Sequence, residues 1–399
     1  MSYFLLPKVN LNIYSHIQFS PEKNACDNHI SNSLYHYLLN IKTKIEENGQ
    51  WDNIKKYTNP YEYIHTSVPS QKYPVCSYKP ISRSYFKMIE IIKTFRLLDR
   101  FPVRGSSAQQ FCSFHLAEGP GGFIEALANL RRNSGDIYIG MTLIDDKNDE
   151  IPGWRKSREF LLKTPNVFLE KGVDGTGNIL SMENLAHCCA KYGSKMDFIT
   201  GDGGIDFTMN FNEQEKIMIP LLFAQMCYAL LMQRHGGVFV LKIFDCFMNA
   251  TVDIIYILSA FYEKVHIIKP QTSRYANSER YIVCSGFLFH STHYFQENLM
   301  CTFHAMLCNI HIVPRFLKIN IPYIFIKRVE ECNAVIGQQQ LENIYSTINL
   351  IDNKHKNEKI DYLKKTNIQK CVNWCIEHDM PCSHEGRGNG GSHEGRCTY

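Results

Sequence analysis

Between residues 111 and 289 the chain alternates short, nearly continuous apolar runs with longer stretches whose apolar residues recur every three or four positions. The short runs Phe111–Ala117, Ile137–Met141, Asn166–Leu169, Met196–Thr200, Gly237–Phe244, Val265–Ile268 and Tyr281–Phe289 read as strands. Gly122–Arg132, Met182–Tyr192, Glu213–His235 and Ala250–Tyr262 read as helices. Strands that are apolar on both faces need cover on both. The pattern therefore predicts an α/β fold, a mostly parallel seven-stranded sheet with helices on either side. Just ahead of it, Phe86, Ile89, Ile92 and Phe95 set a helix over Ser82–Leu98.

The flanks are less regular. Residues 1–80 hold one helical stretch near Asn28–Glu47 and an aromatic-rich segment, Trp51–Tyr78. Beyond 292 the rhythm weakens, so the division is an extension over 1–80, a domain over 81–292, a C-terminal extension over 293–352 and a polar, flexible tail over 353–399. In that tail Ser383-His384-Glu385-Gly386-Arg387 recurs as Ser392-His393-Glu394-Gly395-Arg396.

Composition narrows the function classes. A formal charge of +4, from 43 Lys plus Arg against 39 Asp plus Glu, does not by itself mark a nucleic-acid binder. With 44% hydrophobic residues the chain is not globally disordered. Its 15 cysteines fall short of the ~8–10% of a disulfide scaffold and sit mostly in apolar runs, as reduced thiols of an intracellular protein would. Met1–Asn10 lacks the pattern of a signal peptide, and Ile217–Met232, broken by Pro220 and Gln225, is short of the ~20 residues that span a bilayer, so no membrane is expected.

Chemistry concentrates in five places. Leu116-Ala117-Glu118-Gly119-Pro120-Gly121-Gly122-Phe123 joins the first strand to a helix, where backbone must approach a ligand closely. Ile124 stands where a dinucleotide fingerprint needs glycine, which disfavours a nicotinamide cofactor. An acid followed by G-x-G there is instead the usual turn for S-adenosylmethionine. Lys242 lies inside the apolar run Gly237–Phe244, where an ammonium needs acidic neighbours. Asp202 ends a strand in Thr200-Gly201-Asp202-Gly203-Gly204, Lys87 sits on the helix before the first strand, and Glu279 opens the last strand. Each alone has an ordinary explanation as turn former or solvated charge. Together, Asp202, Lys242 and Glu279 fall near the crevice where such sheets bind ligands.

These motifs, Ser82-Arg83-Ser84-Tyr85-Phe86-Lys87, the Glu118–Phe123 turn, Gly201–Gly204, Leu241-Lys242-Ile243-Phe244 and Ser278-Glu279-Arg280-Tyr281, occur in an order that resembles the FtsJ/RrmJ-like RNA 2′-O-methyltransferases. Gly172–Ile179, Asn212–Glu215 and Lys269–Ser273 resemble the Adrift-type cap methyltransferases in particular, and among these a viral member. The resemblance covers about Ser82–Phe289.

It implies a Rossmann-like fold that uses S-adenosyl-L-methionine to methylate RNA at a capped 5′ end, with Lys87, Asp202, Lys242 and Glu279 as a catalytic tetrad. In that scheme Lys242 is the base or assists deprotonation. Bringing a lysine from ~10.4 toward ~7–8 means roughly 4 kcal/mol of differential destabilisation of its charge. Lys87 lowers it by repulsion, and Asp202 and Glu279 orient the lysines. The donor contacts Glu118, Gly119, Pro120, Gly121, Gly122, Phe123 and Asp202, with Asn178, often an acid in the family, near the adenine. Thr142, Asp145 and Asp146 are open alternatives for the donor ribose. No metal is required. The implied partners are capped RNA and proteins of a capping machinery, in a host cytoplasm or packaged in a virion. Phosphates would meet Lys79, Arg83, Lys87 and Arg274, and bases would meet Trp51, Tyr61, Tyr63, Tyr73 or Tyr78 unless these pack on the core. The alternatives are a methyltransferase of internal ribosomal or transfer RNA sites, or a catalytically silent RNA-binding or virion subunit. Separately, Cys371, Cys375, Cys382 and His384, with His393 and Cys397, are weak candidates for zinc, in a spacing that fits no standard module.

Overall fold

The computed structural model describes residues 2–22, 29–46, 48–103, 110–145, 148, 151, 153–204, 213–353 and 357–382. The tail repeat therefore lies outside the described residues, as do Asp146, Asn212, His384, His393 and Cys397.

The first part of the chain forms β1 (Ser2–Leu5), β2 (Ile17–Pro21), α1 (Asn32–Glu46), α2 (Trp51–Thr58) and α3 (Ser84–Phe95). Strands and helices then alternate as β3 (Cys112–Leu116), α4 (Gly122–Arg131), β4 (Ile137–Met141), α5 (Arg158–Lys163), β5 (Val167–Glu170), α6 (Met182–Tyr192), β6 (Met196–Gly201), α7 (Gln214–Met232), β7 (Gln233–Ile243), α8 (Asn249–Phe261), β8 (Tyr262–Lys269) and β9 (Arg280–Phe287). The C-terminal part adds α9 (Gln296–Cys308), β10 (Pro314–Leu317), α10 (Tyr323–Asp352) and α11 (Asn357–Glu377).

The sheet order is β1-β8-β9-β7-β6-β3-β4-β5. All seven expected strands are present, and β1 adds an eighth by pairing antiparallel with β8. The pairs from β7 to β5 are parallel, while β9 runs against both neighbours. Residue parity decides which layer each strand side chain meets. Phe239, Leu241 and Ile243 of β7 pack into the layer of α6, α7 and α8, whereas Val238 and Val240 pack into the layer of α3 and α4. Lys242 shares the second parity and so belongs to the side on which α3 lies. By length and composition α7 could cross a membrane, yet 78% of its most apolar window is buried in this core.

The flanks build onto the domain. β2 and β10 form a two-stranded ribbon. α10 buries one stripe, Phe325, Val329, Cys332, Ile336, Ile344 and Ile351, but the same stripe carries Asn333, Gln340 and Thr347, each buried and hydrogen-bonded. Those polar residues dilute the helical period in the sequence. Residues 357–377, read from composition as part of a polar tail, form a helix that buries Cys371, Trp374 and Cys375.

Candidate active site

Register brings the site together. Leu116, Gly201 and Leu241 stand level with one another across β3, β6 and β7, so Ala117 and Asp202, just past their strands, and Lys242, near the end of β7, fall along one edge. Antiparallel β9 starts at that same edge, with Lys242 opposite Tyr281 and Glu279 two residues earlier. The fourth group comes from α3, whose first turn is seated directly on the glycine turn. A Cβ on Gly122 would collide with Ser84 Oγ, so glycine is what allows α3 to approach.

The four residues form two ion pairs. Lys87 Nζ lies 2.5 Å from Glu279 Oε1, which also accepts from the Tyr281 hydroxyl at 2.8 Å. Lys242 Nζ lies 3.0 Å from Asp202 Oδ1 and donates to the Asp202 carbonyl at 2.7 Å. Burial pulls Lys87 below the ordinary lysine range, while the charges of Glu279 and Asp202 oppose that. For Glu279 burial acts upward, but the charges of Lys87 and Lys242 outweigh it and hold the carboxyl well below its ordinary value. Each pair thus feels the other.

Beside the second pair opens a cavity of about 1000 Å³, lined by Gly119, Thr142, Asn178, Asp202 and Lys242 among others. Of the expected donor contacts, Gly119, Asn178 and Asp202 reach it. Glu118, Pro120, Gly121, Gly122 and Phe123 do not line it and instead shape the turn. Glu118 Oε1 accepts from Phe123 N–H at 2.6 Å, the Pro120 carbonyl accepts from Ser157, Gly121 holds φ at 107°, and Phe123 is fully buried. Burial, and then the charge of Asp202, raise the Glu118 carboxyl well above its usual range. Asn178 uses Oδ1 to accept from Leu180 N–H, and its amide nitrogen has no partner among the described residues. Thr142 lines the cavity and Asp145 does not.

The residues missed from sequence are mainly apolar walls. Leu143, Ile179, Leu180 and Pro220 line the cavity, as do Ile310 and His311 from the turn after α9. Apart from Ile179, which closes the Gly172–Ile179 motif, none carries a motif, and Ile310 and His311 come from outside the stretch that carried the resemblance.

A second cavity, about 890 Å³, lies on the α3 side and is lined by His65, Lys72, Tyr73, Tyr78, Lys79 and Arg83 among others. Tyr73 is 62% exposed, whereas Trp51 and Tyr63 are buried and Tyr78 donates to Glu125. Arg274, expected to meet phosphate, is instead forked onto buried Glu62 at 2.9 and 2.6 Å. Among the described residues no group of His, Cys, Asp or Glu is arranged to hold a metal ion.

The profile of the FtsJ-like methyltransferases matches residues 80–287, just over half of the chain. The chain belongs to the FtsJ-like methyltransferase family. It is 28% identical over 290 residues to the cap-specific mRNA (nucleoside-2′-O-)-methyltransferase 2 of Drosophila melanogaster, covering 67% of this chain and 39% of that protein. It is 30% identical over 249 residues to the cap-specific mRNA (nucleoside-2′-O-)-methyltransferase 1 of Trypanosoma brucei brucei, covering 61% of this chain and 65% of that one. This chain thus spans less than two thirds of the length of either relative. A solved ribosomal RNA methyltransferase from Plasmodium falciparum aligns over 52% of this chain and 98% of its own at 20% identity, with a TM-score of 0.35. The strand order of this FtsJ-like domain is itself that of a Rossmann-like sheet.

Proposed function

We propose that the FtsJ-like domain transfers a methyl group from S-adenosyl-L-methionine to a ribose 2′-oxygen of RNA, at the cap-proximal nucleotide of a capped 5′ end. The observation that carries this reading is the pairing of Lys242 with Asp202 on the wall of the cavity that the glycine turn opens, with Lys87 and Glu279 immediately behind. The names of both relatives favour the cap-proximal site.

The large cavity suits the donor. It has apolar walls for a flat base, a peptide turn at Gly119 where a Cβ would collide with the Gly153 carbonyl, and an acid, Asp202, for a cationic ligand. When bound, S-adenosyl-L-methionine supplies an electrophilic methyl group. Asn178 would meet the adenine through its amide nitrogen, and Thr142 the ribose. Lys242 acts on the incoming 2′-hydroxyl either as base or, charged, as the donor that stabilises the developing alkoxide, and Asp202 fixes its direction. Lys87, held by Glu279, adds positive potential at the same oxygen. The cavity on the α3 side suits the RNA strand, with Lys79 and Arg83 for phosphates and Tyr73 for a stacked base.

The test is methyl transfer by the purified protein to capped and uncapped transcripts of one sequence, with the product nucleotide identified by mass spectrometry. Transfer to the first or second transcribed nucleotide of capped RNA alone is expected. Transfer to internal positions of uncapped RNA replaces the cap with a ribosomal or transfer RNA substrate. RNA binding with neither donor binding nor transfer makes the protein a silent RNA-binding subunit.

A further inference from the structure

The segment 270–279, which joins β8 to β9 and delivers Glu279, is clasped from outside at its start, its middle and its end. At the start, Glu90 of α3 accepts from Gln271 N–H at 2.6 Å, Thr272 N–H at 3.1 Å and the Thr272 hydroxyl at 2.8 Å. In the middle, Arg274 is forked onto Glu62. At the end, Lys269 donates to the Asn277 carbonyl at 2.6 Å, the Asn277 side chain at 2.8 Å and the Glu279 carbonyl at 2.8 Å.

Two features separate this from ordinary loop packing. Glu90 and Lys269 are 0% and 3% exposed, yet among the described residues neither has an ion-pair partner; their hydrogen bonds go to peptide groups, a hydroxyl and an amide. Ionisable groups buried against neutral partners carry a desolvation cost that neutral side chains would avoid. Burial pushes Glu90 up to about 7 and Lys269 down to about 7, in keeping with that cost. Moreover, Glu90 lies one turn beyond Lys87 on the same helix. α3 therefore holds the segment twice, through Lys87 on Glu279 and through Glu90 on residues 271–272, while Lys269 fixes the peptide of Glu279 itself.

We propose that Glu90 and Lys269 are positioning residues that act through Glu279 to set where Lys87 stands in the methyl-transfer site. The inference rests on the function proposed above. A misplacement of about 1 Å at such a site is worth about 100-fold in rate. Lys269→Met and Glu90→Gln are each expected to lower kcat for capped RNA by about 10- to 100-fold while leaving the affinity for S-adenosyl-L-methionine within about twofold. The deciding measurement repeats each substitution in a Glu279→Gln background, where the further loss should shrink to about threefold or less, because the residues act as a unit.

Equal losses in both backgrounds, or kcat for either single variant within about threefold of wild type, overturn the inference while the functional reading stands. Should Lys269→Met, or a variant in the Glu279→Gln background, fail to fold, as judged by its melting transition, the single Glu90→Gln decides: its loss must fall on kcat, and a loss that falls on the affinity for S-adenosyl-L-methionine overturns the inference. A wild type that transfers no methyl to any RNA overturns the functional reading and this inference with it.

Discussion

The two ion pairs of the site are alike in chemistry and unlike in access. Lys87 and Glu279 are 6% and 8% exposed, with Tyr281 and the clasped segment around them. Lys242 and Asp202 are 13% and 15% exposed and form part of a cavity wall. The buried pair has no room for a substrate atom between its members, so in the proposed reaction it would act by placing charge and not by touching substrate. The open pair can exchange a protein contact for a ligand. Depth alone thus divides four similar residues into a frame and a working edge, and substitutions should separate the two.

Replacing Lys242 with Ala should remove methyl transfer by about 10²–10⁴-fold, the usual worth of a group that moves a proton. Its melting temperature and donor affinity should stay close to wild type; a collapse of the fold would instead assign Lys242 to the frame. Glu279→Gln should behave the other way and destabilise the protein by about 3–5 kcal/mol in denaturant unfolding, because it leaves Lys87 buried without its counter-charge. A loss no larger than that of Asp202→Asn would erase the distinction between the pairs.

Further out, the Glu62–Arg274 fork makes the frame sensitive to acid. Burial raises the Glu62 carboxyl, but the Arg274 hydrogen bonds and charge prevail and bring it down to about 2 from an ordinary 4.5. A depressed carboxylate stabilises the folded state above its unfolded pKa. That contribution is lost as pH falls from 4.5 toward 2, so Glu62→Gln should flatten this limb of stability against pH and leave the neutral region level in slope. The smallest effect is expected at the rim, where Tyr73→Ala should weaken RNA binding by about 1–3 kcal/mol without touching donor affinity. Unchanged RNA affinity would exclude the α3-side cavity from the RNA path.

The sequence exposed the working edge better than the frame. Apolar runs located all seven strands of the domain, and Asp202, Lys242 and Glu279 stood out as charges at strand ends; Lys87 needed the order of the motifs, since a helix residue in isolation looks solvated. What stayed hidden depends on partners far apart in the chain. Glu62 meets Arg274 across 212 positions, and no local pattern announces that the arginine is spoken for. Glu90 is one more acid on a helix until the 271–272 peptides are folded onto it. α10 was illegible because Asn333, Gln340 and Thr347 interrupt its buried stripe, and β1 because Ser2–Leu5 is too short to show a period. Of the turn glycines expected to meet the donor, Gly119 lines the cavity, while Gly122 makes room for Ser84, a contact that no local pattern announces.

β1 is four residues long, yet it fills the row of backbone groups along β8 from His266 to Lys269. An uncovered strand of that kind is a template onto which another chain can add, the first step toward aggregation. A shortened protein beginning at residue 81 would keep Lys87, Asp202, Lys242 and Glu279 and lose this cover, so its expected failure is in solubility before chemistry. The N-terminal segment, which carries none of those four residues, thus serves the domain by occupying the edge of β8.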